Sequence, residues 1–169
     1  MTLDNLAHHF QYLAGVWVGI LENVADQIGQ DAVRVSRAKL GEYQPPIGFF
    51  PGWESLADST LAEKARLGLP SPSPLLRTGD LRDSISFDTN VSASSATVNL
   101  YSTSDYAPVQ ELGGGPSNIP PRPFIGPVPF ERQNVWEYFV GSRISSNITP
   151  GLDASSLVKM KTMFDENYA

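Results

Sequence analysis

The sequence has no cysteine. That excludes disulfide frameworks and thiolate metal sites, so hydrophobic burial and hydrogen bonds must hold the fold. Histidine is nearly as scarce: the only two, His8 and His9, are adjacent. Neighbours on a helix point about 100° apart, whereas a metal pair needs positions three or four apart on one face. No metal site is expected. Charged residues make up only 18% of the chain, and the net charge is −6. A grip on nucleic acid needs clustered Lys and Arg to neutralise phosphates, so no specific DNA binding is expected. Long apolar runs are missing too. The nearest approach, "FQYLAGVWVGILENVADQI", is broken by Gln11, Glu22, Asn23, Asp26 and Gln27, too polar for a membrane span. No basic stretch precedes an apolar run near the start, so no signal peptide is expected and the protein is read as made inside the cell.

The motifs of common catalytic sites are also missing. There is no HExxH, Walker loop, GxSxG or dinucleotide fingerprint. "GGG" at 113–115 leads into proline, whereas a phosphate-cradling loop precedes a helix. Asp80 and Asp83 are three apart, but glycosidase carboxyls must face each other across a cleft; these two read as solvated. The expectation is a protein with no catalytic residues, no cofactor and no metal.

What the chain does have is 14 glycines, 14 prolines and 41% apolar residues over 169 positions. That suits one folded domain with long loops rather than disorder. Leu3, Leu6, Phe10, Leu13, Trp17, Ile20 and Val24 recur at spacings of three and four, predicting a long first helix with Thr2 as cap and Gly41 as stop. Its stripe suits either the domain's own sheet or a neighbouring subunit; we take the sheet. Gly15 and Gly19 permit a close approach to that helix. "WESLADSTLAEKARLGL" reads as a short helix with Leu56, Thr60, Leu61 and Ala65 on adjoining faces, followed by the extended spacer "PSPSP".

"RTGDLRDS" reads as one helical turn: Thr78 caps it, Gly79 permits a tight bend, Leu81 faces inward, and Arg77, Asp80, Arg82 and Asp83 form a charged rim. Alternation at Ile85, Phe87 and Thr89 and at Thr97, Asn99 and Tyr101, around the polar "SASS", predicts a hairpin over 84–102. "DYAPVQELGGG" gives a short helix capped by Asp105 and ended by Gly113, and another helix spans about 129–145. A last amphipathic helix carries Leu157, Met160 and Phe164 behind Asp153. The fold class predicted is α+β: a long N-terminal helix and C-terminal helices packed on a small antiparallel sheet, with long Pro/Gly-rich loops. Residues 1–145 form one domain, and 146–169 a linker and amphipathic helix.

Four segments then stand in order: "WESLADSTLAEKARLG" (53–68), "PLLRTGDLRDSI" (74–85), "YAPVQELGG" (106–114) and "IPPRPFIGP" (119–127). Together they resemble the virion-morphogenesis, neck and tail-completion proteins of tailed phages, of the phage Mu virion-morphogenesis type. The resemblance covers about residues 50–130. It implies a non-enzymatic structural protein of the head–tail junction, assembled as a homo-oligomeric ring (hexamer or dodecamer) between connector or head-completion proteins and tail-terminator or tail-tube proteins. It implies a place in the virion, and in the host cytoplasm during assembly, with no membrane partner. DNA would slide through the lumen without specific binding, which an acidic chain suits. A small virion-associated hydrolase or lytic factor is the alternative. An assembly chaperone absent from the mature particle is a third reading.

The loop from Gly113 to Pro127 is longer than a compact domain needs and is stiffened by prolines. The expected partner contacts are Ile119, Pro120, Pro121, Arg122, Pro123 and Phe124, together with Arg77 and Arg82. Phe124 would be the apolar anchor and Arg122 the directional contact to a carboxylate. The other reading of this loop is a lid over the domain's own core.

Overall fold

The computed structural model describes residues 3–115 and 118–148. The expected Thr2 cap and the last amphipathic helix, with Asp153, Leu157, Met160 and Phe164, lie outside the described residues. The elements are α1 (Leu3–Lys39), α2 (Asp58–Arg66), α3 (Asp80–Asp83), β1 (Ile85–Val91), β2 (Ala96–Ser102), α4 (Ala107–Leu112) and α5 (Val128–Ile148). The class is α+β: one long helix against one antiparallel pair of strands, with a second long helix packed on the first.

The 37 residues of α1 span about 55 Å. Arg37 and Lys39 oppose the negative end of its dipole. Gly41 ends the run at φ 105°, and its N–H donates to the Pro74 carbonyl at 2.8 Å. A residue with a Cβ rarely adopts that backbone.

The hairpin forms as the alternation predicts. Ile85 pairs with Ser102 and Val91 with Ala96. The Asn99 amide donates to the facing Asp88 carboxylate at 2.7 Å, and Ser92 and Ser95 close the turn through main chain and hydroxyl. Burial falls along β1: Ile85 is fully enclosed, Phe87 half-buried, and Asp88 to Asn90 exposed.

The sheet lies against α1, and α5 packs beside it. A seven-residue strand covers about 23 Å, less than half of α1, so the sheet cannot cover the whole predicted stripe. Ile20 and Val24 are buried, but Trp17 is only half-buried. Truncating Trp17 therefore costs less than the full loss of an enclosed ring. The closest approach is also not at the expected glycines. Gly15 and Gly19 face open space, while a Cβ on Gly29 would sit 2.1 Å from the Phe87 ring.

This predicts opposite signs for one substitution. Gly15→Ala gains about 0.5–1 kcal/mol from helix propensity alone. At Gly29 the same gain is outweighed by overpacking, which costs about 1–3 kcal/mol, because Cγ of Phe87 is itself only 2.7 Å away and the whole ring must move. Urea unfolding of the two variants checks this, and a Gly29→Ala protein as stable as Gly15→Ala would contradict the packing.

Two expected caps are corrected. Gly79, at φ 101°, occupies the cap position of α3. Thr78 stands one residue too early, and its hydroxyl donates to the Asp80 carboxylate at 2.6 Å. At α4 the cap position is Tyr106, with no side-chain cap bond. Asp105 stands one residue before that position, and the Ala107 N–H is taken by the Ser104 carbonyl. The core joins Leu40, Trp53, Leu81, Ile85, Ala107 and Phe124.

Candidate functional site

The four segments at 53–68, 74–85, 106–114 and 119–127 meet around Phe124. Gly113 turns the chain at φ 76° out of α4, and Gly114 and Ile119 exchange both main-chain hydrogen bonds. The Arg122 N–H donates to the Gln110 carbonyl at 2.7 Å. The chain then passes over the Glu111 carboxylate. Glu111 Oε2 accepts the N–H groups of Phe124 (2.7 Å) and Ile125 (3.1 Å), and Oε1 accepts that of Gly126 (2.7 Å).

The carbonyls on this stretch are met as well. Ser36 Oγ of α1 donates to the Phe124 carbonyl at 2.8 Å, and Trp53 Nε1 donates to that of Pro123 at 3.1 Å. Arg122 Nη2 donates to the Glu54 carbonyl at 3.0 Å. Each bond satisfies a main-chain group that would otherwise be costly to bury.

This overturns Phe124, Arg122 and Pro123 as partner contacts. Phe124 is 0% exposed and Arg122 6%, and Pro123 is buried. They are interior to the subunit, and the lid reading holds. The physical reason is Glu111, whose three acceptor bonds draw the loop inward so that Phe124 enters the core. Arg122 meets a main-chain carbonyl rather than a carboxylate. Ile119, Pro120 and Pro121 are half-buried, while Arg77 and Arg82 remain exposed. Arg77 pairs with Glu63 at 3.4 Å and Arg82 with Asp83 at 3.0 Å. The Arg82 hydrogen bond lowers the Asp83 pKa, so Asp83 stays a charged rim residue.

Lys64 performs a role that its sequence position does not advertise. It is buried on α2, while the neighbouring Ala65 is exposed. Its ammonium donates to the carbonyls of Pro70 (2.8 Å), Ser73 (2.6 Å) and Leu76 (2.7 Å), using all three of its protons. Burial first, and the Arg77 charge second, push its pKa down. The proline spacer and the Leu76 turn after it are thus tied to α2 at three points.

A second polar knot joins α1 to α5. The buried Asp31 accepts from Arg34, from Arg132 Nε (2.7 Å) and Nη2 (3.1 Å), and from Trp136 Nε1 (2.9 Å). Lys39 and Glu131 form a second pair between the same two helices. Burial is the largest single influence on Asp31 and raises its pKa, but the hydrogen bonds from Arg132, Arg34 and Trp136 with the Arg132 charge together lower it. A carboxylate whose folded pKa lies below its unfolded value stabilises the fold above the unfolded value, about 3.9. That contribution is lost as pH falls through the folded pKa. Thermal melts should therefore show wild type losing stability below about pH 4. Asp31→Asn should start lower and change less over the same acid range. Parallel pH curves for the two proteins would contradict this role.

Among the described residues, no group of His, Asp and Glu is arranged to hold a metal ion, and no helix is long and apolar enough to cross a membrane. No family model, curated protein or solved structure matches the chain. The residues must therefore speak for themselves. Glu111, Lys64, Asp31 and Trp53 all direct polar groups at main chain or at each other in ways that fix the relative position of elements.

Proposed function

We propose that this chain is a structural protein of the head–tail junction of a tailed phage. In this reading it forms a homo-oligomeric ring that joins connector to tail and lets DNA pass. The observation that carries the proposal is the mutual locking of the four segments behind the phage resemblance. Trp53, Lys64, Glu111 and Arg122 come from three of them, and each directs a polar group at main chain of the frame. Catalysis needs polar groups aimed at a substrate position; these are aimed at the backbone. Such a frame supports a part that must keep its shape under load.

Since Phe124 is interior, the ring contacts belong to other apolar residues. Phe49 is 76% and Phe130 51% exposed. Their rings meet edge-on at 5.1 Å, and Phe50 completes the cluster. Exposed aromatics gathered in one patch mark association surfaces. The net charge of −6 suits a lumen through which DNA slides.

Complementation tests the reading. A phage lacking this chain should yield filled heads and free tails that do not join, and purified protein added to that extract should restore infectious particles. Phe130→Asp protein, folded by circular dichroism, should not. Joined particles that form without the protein but fail to lyse or enter cells would favour the hydrolase alternative and overturn the structural one.

A further inference from the structure

Arg122 is a buried cation with no ion-pair partner among the described residues. Its one side-chain hydrogen bond goes to the Glu54 carbonyl, although a guanidinium carries five N–H donors. Its Nε is buried without a partner, and among the described residues no carboxylate lies within ion-pair distance of it. Burial lowers its pKa against the weaker opposing pull of Tyr43 and Glu54. An unpaired buried charge is among the costliest features a fold can carry.

The side chain sits in the wall of a cleft of about 930 Å³ between α2, the 75–81 segment and the 119–122 loop. Lys64 and Arg77 also line it, as do the Ser59 and Thr60 hydroxyls. Lys64 has committed its protons to carbonyls, so its charge adds to the field without offering a donor. Glu54 and Asp80 lie on the same wall. With Arg77 already paired to Glu63, they limit the cleft to a singly charged anion, and a phosphate dianion would be pushed back by the two carboxylates. The leucines at 75, 76 and 81 with Ile119 and Pro120 suit the aliphatic stem of the ligand.

We propose that this cleft is a binding site for a single carboxylate on a short aliphatic stem, with the Nη edge of Arg122 as its buried contact and Arg77 as its outer one. The planar fork of a guanidinium fits a carboxylate by two parallel hydrogen bonds. The carboxylate is either a free small acid or an acidic side chain of a protein segment. The site does not depend on the phage reading.

NMR titration of the full chain tests it, following backbone amides and the Arg122 Nε–H resonance. Butyrate at constant ionic strength should give saturable shifts at Arg122, at Thr78 to Asp80 and at Ile119. Butyramide, which lacks the charge, should not. Arg77→Gln should weaken butyrate about two- to fivefold, as for an exposed ion pair. Arg122→Lys should weaken it about tenfold or more, because it loses the fork. If that variant does not fold, Arg77→Gln and the wild-type Nε–H shift still decide. A capped peptide with one Glu that binds more tightly than butyrate assigns the carboxylate to a protein partner, and equal or weaker binding assigns it to a small acid. Equal shifts with butyramide, shifts that never saturate, or tighter binding of inorganic phosphate would each overturn the proposal.

Discussion

Phe124→Ala should destabilise the isolated subunit by about 3–5 kcal/mol, the range for deleting an enclosed aromatic ring. Phe124 is completely enclosed and belongs to the same cluster as Trp53, Leu81 and Ile85, so the vacated space opens at the junction of the helices and the sheet. The rigid surroundings limit collapse: the Phe124 main chain is held on both sides by Ser36 and Glu111. Set against a total stability of about 5–15 kcal/mol for a domain, the loss removes a large share of the fold. Urea unfolding of purified wild type and variant measures it. A loss under about 1 kcal/mol with an unchanged denaturant slope would mean that the ring is not in the core and that the loop faces outward after all.

Glu111→Ala should be the next most damaging change, at about 3 kcal/mol. Its carboxylate takes three consecutive main-chain N–H groups. Hydrogen bonds to a charged acceptor contribute about 1.5–3 kcal/mol each. The sum is not reached, because Glu111 is half-buried and water replaces part of what is lost. Glu111→Gln should recover only some of the stability, since one oxygen becomes an NH₂ group that confronts a donor with a donor. Hydrogen exchange gives the specific signature: amides of Phe124, Ile125 and Gly126 should lose protection in both variants, ahead of those in α1. Unchanged protection at these three amides would rule out the carboxylate as the clasp of the loop.

The local elements were legible because their signals are local. The three- and four-residue spacing of Ile20 and Val24 with Trp17 fixes a helix before any tertiary contact is known, and Gly41 marks its end. The alternation from Ile85 to Thr89 marks a strand, and "SASS" a turn. What the sequence could not show are choices made by distant partners. Phe124 reads equally as a surface anchor or a core residue, and the decision rests with Glu111, 13 positions earlier. Asp31 reads as an ordinary helix-surface acid until Arg132, 101 positions later, and Trp136 close on it. Gly29 differs from Gly15 and Gly19 only because Phe87 lies over it, and nothing in the helix sequence separates the three. Lys64 precedes a proline spacer rich in unpaired carbonyls. That is the one signal that could have found its role, since Pro has no N–H to offer nearby carbonyls.

The central claim is that this chain is a permanent structural part of the head–tail junction. Its copy number in purified, DNA-filled tailed particles, measured by quantitative mass spectrometry against the major capsid protein, tests that claim most directly. The account predicts a fixed, whole ring of copies per particle, retained through density-gradient purification and lost together with the tail when heads are isolated alone. Its absence from finished particles, with abundant protein in the assembling cell, would make it an assembly chaperone and contradict the claim.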